Sequence, residues 1–280
     1  MRIRSFLVLF AGSLVFCSWG APARAASFFF STGSPDGLMG MASRPASPGK
    51  VEIEAADDFV VTQPTQINQV TFTGLVPEGA TIESVHLEIY RVFPKDSQDP
   101  PSGHVPMRVN SPSDIAFQER GGADLSFLSA LLNPSFTVLN SVVNGINASP
   151  SQTTGGDGAA TGQERFFTVA LNNPFVLPAD SYFFVPQVEL SNGDFLWLSA
   201  PKPIGAAGGG TPFSPDRQTW IRNGALAPDW LRVGTDIVGG ASPPTFNGAF
   251  SLEGTIVPEP STLLLLGAGL GGIAVRRRRA

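Results

Sequence analysis

The chain of 280 residues has a single cysteine, two histidines and two tyrosines, and only 15% of it is charged. One thiol cannot close a disulfide within the chain, and it cannot supply a cysteine-ligated zinc site. That thiol, Cys17, stands in an N-terminal segment that reads as removable, which leaves the body without a sulfur nucleophile. Phe16 before it is bulkier than a lipidation site takes. His86 alternates with Val85, Leu87 and Ile89 on one predicted strand, and His104 follows Pro100-Pro101-Ser102-Gly103 in a predicted loop. Two histidines so separated make a poor metal site. No G-x-S-x-G elbow is present for a serine hydrolase. The glycine run 205–210 lacks the Lys-Ser/Thr pair of a phosphate-binding loop.

What the chain does have is 31 glycines and 25 prolines, set between short runs rich in Val, Ile, Phe and Thr. Val51, Ile53 and Ala55 alternate with Glu52 and Glu54, the period of a half-buried strand. Further strand candidates are 59–61, 67–73, 82–93, 136–143, 166–171, 182–190, 195–198, 219–221, 230–233 and 246–256, with turn residues in nearly every gap. Residues 27–49 read as loop. Only 124–132 reads as a helix, with Leu125, Leu128, Leu131 and Leu132 at helical spacing and Asp124 as its cap. Many short strands with one short helix predict an all-β fold, an antiparallel β-sandwich or jelly roll. Residues 148–162 and 206–210 read as flexible surface insertions rather than domain boundaries, because strands continue on both sides.

The two ends carry addresses. Arg2 and Arg4 precede an apolar stretch over 6–16, and Ala23-Arg24-Ala25 forms a small-residue cleavage site with Ala23 and Ala25 flanking the arginine. Residues 1–25 therefore read as a signal peptide, and 26–256 as one β-sandwich domain. At the other end Val257-Pro258-Glu259-Pro260-Ser261-Thr262 leads into an apolar run over 263–275 and then Arg276, Arg277, Arg278 and Arg279. The run is shorter than the roughly 20 residues of a full span. The arginines set its orientation, basic end in the cytoplasm and body outside. A basic arm for nucleic acid or anionic lipid is the alternative. Without the two signals the body has 11 basic against 22 acidic residues, a balance that argues against nucleic acid and anionic membranes as partners.

The C-terminal pattern resembles the PEP-CTERM sorting signal of exosortase-processed bacterial proteins over residues 257–280. The resemblance implies a precursor in the inner membrane, held by a C-terminal transmembrane sorting helix. It implies as partner a membrane-embedded, exosortase-type transpeptidase that recognises Pro258, Glu259 and Pro260 and removes the tail. It also implies an exported product in the cell envelope or outside the cell, near extracellular polysaccharide. More loosely, Ala56-Asp57-Asp58-Phe59, Asn173-Pro174-Phe175-Val176-Leu177 and Leu196-Trp197-Leu198-Ser199 resemble β-sandwich modules found upstream of such tails. The insertions depart from their compact form, and the likeness carries no activity.

Within the body, Asp57 and Asp58 are the candidate calcium ligands, adjacent hard-oxygen donors beside a strand, although they lack the spaced acids of a calcium loop. Their other reading is a pair that accepts turn amides. Trp197, Trp220 and Trp230 are candidates for sugar stacking if exposed, and core residues otherwise. Glu52 and Glu54 share a strand face that alternation assigns to solvent, so they make a poor hydrolytic pair. The expectation is a structural or adhesive, non-enzymatic exported protein with no cofactor. The alternatives are a carbohydrate-binding module, with calcium as its possible ion, and a secreted hydrolase.

Overall fold

The structure, a computed structural model, describes residues 26–147, 149, 152–201 and 217–258. The predicted signal peptide with Ala23 and Ala25, the run 206–210, and the tail with Glu259, Pro260, the apolar run and Arg276 to Arg279 lie outside the described residues. So does the expected transmembrane sorting helix. No described helix is long and apolar enough to cross a membrane.

The described residues form strands β1 (Ser27–Ser31), β2 (Met39–Ala42), β3 (Ile53–Val61), β4 (Thr65–Val76), β5 (Ile82–Arg91), β6 (Gln118–Gly121), β7 (Leu125–Val138), β8 (Asn140–Val142), β9 (Ala160–Leu177) and β10 (Asp180–Leu190). After these come β11 (Leu196–Ala200), β12 (Trp220–Asn223), β13 (Leu231–Arg232), β14 (Asn247–Gly248) and β15 (Phe250–Ile256). A 3-10 turn at Gly122–Asp124 and a π turn at Val233–Val238 are the helical pieces among them. The described residues are thus all-β, with two sheets and little helix.

The smaller sheet runs β13-β12-β3-β10-β5-β6. In the larger sheet β4 is the axis. One edge of β4 pairs with β9 along its whole length, and β9 passes the ladder on to β7. The other edge of β4 is shared: residues 65–72 pair with β15, and Gly74 and Leu75 pair with β11. From these, β1 continues beyond β15 and β2 beyond β11. The pairings are antiparallel except β2 with β8.

The sheets meet through phenylalanines. Phe72 on β4 stacks on Phe167 of β9 at 4.7 Å within the larger sheet and reaches Phe184 on β10 of the smaller one at 6.4 Å. Phe184 also lies 5.0 Å from Phe250 on β15 and 5.9 Å edge-on to Trp197 on β11. Each such side chain contributes roughly 1.5–3 kcal/mol on full burial, so this layer supplies the stability that disulfides give to smaller exported domains.

Three local expectations are corrected. Residues 125–132 are strand, not helix: the leucine spacing fits a helix, but the ladder with β9 overrides it and sends Leu125 and Leu128 to opposite faces, the first buried and the second 77% exposed. Asp124 ends a 3-10 turn and caps no α-helix. Residues 27–49 are not all loop, since β1 and β2 lie there, paired to β15 and β11. The 148–162 insertion is tied down where it is described. The Asp157 carboxylate accepts amides from Val143, Asn144 and Gly145 at 2.7, 3.1 and 3.2 Å, and Thr154 and Gly155 donate their N–H groups to the Ile237 carbonyl.

Candidate functional site

Two regions carry chemistry. The first is where the body meets its C-terminal motif. Strand β15 ends at Ile256, whose N–H donates to the Ala26 carbonyl at 2.7 Å, while Val257 donates to the Pro64 carbonyl at 2.8 Å. Pro258 is exposed. Antiparallel pairing of β1 with β15 therefore sets Ala26, the predicted first residue after signal cleavage, beside the start of the motif. Pro258 follows the last ladder residue with only Val257 between them.

The second is the outer face of the smaller sheet. Register places Arg222 of β12 opposite Glu54 of β3, and Gln187 of β10 opposite His86 of β5. Tyr90 and Glu88 lie two and one alternations along β5 from His86. Arg222 clamps Glu54 through both arms of its guanidinium, Nε to Oε2 and Nη2 to Oε1 at 3.1 Å. The Tyr90 hydroxyl lies 2.5 Å from Glu54 Oε1 and 3.1 Å from Glu88 Oε2, and it accepts from Arg222 Nη2 at 3.0 Å. Gln187 Nε2 donates to Glu52 at 2.8 Å. Gly121, opposite His86 on β6, leaves room for that ring: a Cβ there would sit 2.6 Å from His86 Nδ1.

Over Glu54 and Arg222 this face is sealed from above. Trp230 lies edge-on to Tyr90 at 5.4 Å, with the Arg222 guanidinium 4.3 Å from its ring centre. The connection from β5 to β6 folds over the sheet and is held by Arg108. Its guanidinium ion-pairs with Asp114 and donates to the Asp99 carbonyl at 3.1 Å. Arg108 Nε is 3.0 Å from Asp229 Oδ1, close but misaligned for a hydrogen bond. Asp229 in turn accepts from the Ser102 amide at 3.2 Å and from its hydroxyl. Trp230 donates to the Ser113 carbonyl at 3.2 Å.

Burial shapes the protonation. Desolvation first, and then the charge of Glu54, push the Glu88 carboxyl up from the usual carboxylate range to about 9. Desolvation and Glu54 likewise hold the Tyr90 phenol far above its ordinary value, so it stays a donor. For Arg222 burial pulls downward, but Glu54 and Tyr90 outweigh it and the guanidinium is held up. At neutral pH the cluster is therefore a neutral acid, Glu88, next to a carboxylate locked by an arginine. Acid–base enzymes use such contrasts. Glu88 also borders a cleft of about 210 Å³ lined by His86, Glu119, Arg120 and Asp124. Glu54, however, is 4% exposed beneath Arg222 and Trp230, so a molecule that reached Glu88 through the cleft would not reach both carboxyls.

The sequence candidates fall as follows. Trp197, Trp220 and Trp230 are 0%, 1% and 0% exposed, so of their two readings they are core residues and form no exposed stacking platform. Their indole N–H groups donate to the carbonyls of Ala249, Arg217 and Ser113. Trp197 lies flat on Gly248, where a Cβ would come within 2.1 Å of its ring. Asp57 and Asp58 occupy successive positions of β3 and so point to opposite faces, unable to converge on one ion. Asp57 accepts from the Gly248 amide at 2.9 Å and the Thr219 hydroxyl at 3.2 Å, and Asp58 accepts from the Arg217 amide at 2.8 Å. The amide-accepting reading describes them. Among the described residues no group of three or more His, Cys, Asp or Glu is placed to hold a metal ion. Glu54 is buried, against the solvated face that alternation assigned to it. The sequence signal overlooked was Arg222, a charge inside the short strand β12 beside Trp220 and Ile221.

Comparison with known families matches the PEP-CTERM protein-sorting motif to residues 257–279. No curated protein and no solved structure matches the chain.

Proposed function

We propose that this chain is an exported protein, handed by its C-terminal motif to an exosortase-type membrane transpeptidase, whose body then serves a structural or adhesive, non-enzymatic role in the cell envelope or extracellular matrix. The sorting motif at 257–279 carries the reading. The body supports it in two ways. Its N-terminal end lies beside the motif, so a precursor held in the inner membrane by either end presents the domain from one side of the larger sheet. Its buried carboxylates, arginines and indoles are engaged in contacts that join strands and loops, and packing does the work that an exported domain without disulfides requires. Extracellular polysaccharide is the partner this location suggests.

The test is replacement of Pro258, Glu259 and Pro260 by alanine. The expected result is a full-length precursor retained in the membrane fraction. Normal release of a shortened product would refute processing at this motif. A glycan and calcium binding screen on the released protein addresses the adhesive role, and turnover of any glycoside by that protein would overturn the non-enzymatic reading.

A further inference from the structure

The larger sheet ends on one side in β7, and this edge differs from the others described. Among the described residues β7 pairs only with β9, so its second row of backbone N–H and C=O groups meets no strand. It is 14 residues long and contains no charged residue. Leu128, Leu131 and Leu132 are 77%, 48% and 55% exposed along it. The other edges are shorter, one of the ways in which sheets blunt them. Strand β1, also uncharged, has five residues; β6 has four, Glu119 and Arg120 among them; β8 has three, and β13 and β14 have two each. The register of β7 on β9 is regular over 125–131 and breaks beyond it, at Leu131/Asn133 and Asn133/Phe136, next to Pro134. Bulges and proline end pairing, so the usable edge is the segment 125–131.

We propose that this edge joins two copies of the chain, β7 pairing antiparallel with β7 of a second molecule and continuing the larger sheet across a twofold axis. A free strand edge is satisfied by another extended strand and not by a globular surface. Twofold pairing brings a segment against itself, so the segment must tolerate its own side chains. Residues 125–131 do: pairing centred on Leu128 sets Leu128 beside Leu128, Leu125 beside Leu131, and Ser126 beside Ala130, with apolar side chains at the crossing and no like charges opposed. A partner chosen by charge would find none to read in this strand. The acidic balance of the body keeps copies apart elsewhere, and the uncharged stretch is where they can approach. One strand pair is at the small end of stable interfaces, so the affinity expected is micromolar, on the order of 1–100 µM.

The test uses the full chain in a mild detergent that keeps its C-terminal segment in solution, by sedimentation velocity from 1 to about 300 µM, a range set around that affinity. Concentration-dependent dimers are expected, with amide exchange over 125–131 slowing as concentration rises. A Leu128→Lys/Ala130→Lys double variant, whose changes point into solvent, should shift the midpoint at least tenfold upward and abolish the concentration-dependent protection. A monomer throughout the range would overturn the proposal. Dimers that survive the double variant, or whose protection appears outside β7, would also overturn it and assign the contact to the C-terminal tail or another face. Binding of β7 to neutral lipid vesicles without any dimer would replace the second copy by a membrane surface.

Discussion

The two sheets share one core but treat their outer faces in opposite ways. The outer face of the smaller sheet carries Glu54, Glu88, Gln187 and Arg222 and is roofed by the β5–β6 connection and Trp230. That of the larger sheet carries the row Ser31, Ser251, Thr71, Thr168 and Leu128 across five strands, with no charge in it and no need of a roof. A shallow groove of about 250 Å³ crosses this second face between Phe29 and Phe166. Charge on the smaller sheet is thus buried and cross-linked, whereas the open face of the larger sheet carries little, with Glu253 exposed in the row next to Ser251. The physical lesson is that polarity alone does not mark the solvent side of a strand. A charged stripe becomes interior once a long loop closes over it, provided that each charge finds its partner.

The sharpest way to break that contrast is to remove one partner beneath the roof. Replacing Arg222 with Met keeps volume but leaves the Glu54 carboxylate buried without its clamp, an expected loss of about 3–5 kcal/mol. Denaturant unfolding measures it. Joint replacement of Arg222 by Met and Glu54 by Leu should recover most of the loss, because neither charge then remains unpaired. A cost under about 1 kcal/mol for Arg222→Met would mean that water reaches Glu54 and the face is not sealed.

A second prediction uses pH. Folded Glu88 keeps its proton up to about 9, whereas an unfolded glutamate gives it up near 4.5. Between those values the folded state holds the extra proton, so raising the pH favours unfolding. The contribution of Glu88 is fully present below about 4.5 and is lost as pH rises through about 9. Glu88→Gln removes the titration and keeps a donor toward Glu54. The variant should be more stable than the parent at pH 8 by roughly 1–3 kcal/mol, a figure reduced for the half-buried position, and indistinguishable from it at pH 4. Thermal unfolding across that range reads the difference. Parallel curves for the two proteins would remove Glu88 from the pH response.

Much of this arrangement is legible in the sequence, and the gaps have causes. The alternation of Val85, Leu87 and Ile89 gives β5 and the outward side of His86, because period two survives whatever lies above the strand. The tail is legible because a sorting signal is read as a linear motif. Alternation assigns Glu54 to solvent because it reports two faces and not what covers them; the cover comes from the distant connection between β5 and β6, pinned by Arg108 to Asp114 and Asp229. The leucines of 125–132 fit a helix until β9 claims the backbone, a non-local pairing that local spacing cannot encode. For Asp57 and Asp58 the sequence suggests nearby turn amides as one reading, whereas the amides they accept, from Gly248 and Arg217, lie far down the chain.

The smallest expected effect is on the open face. Leu128→Lys adds a charge where the side chain is already 77% exposed. Its folding free energy should therefore move by less than about 0.5 kcal/mol, as for surface substitutions that touch no buried partner. Unfolding at low protein concentration checks this, below the range in which copies would pair. A loss above about 1.5 kcal/mol would mean that Leu128 is covered in solution, and the two outer faces would then differ less than their sequences suggest. A loss within the expected range, set beside several kcal/mol at Arg222, would place the stability of the fold under the roof of the smaller sheet and leave the uncharged edge free for contact with another molecule.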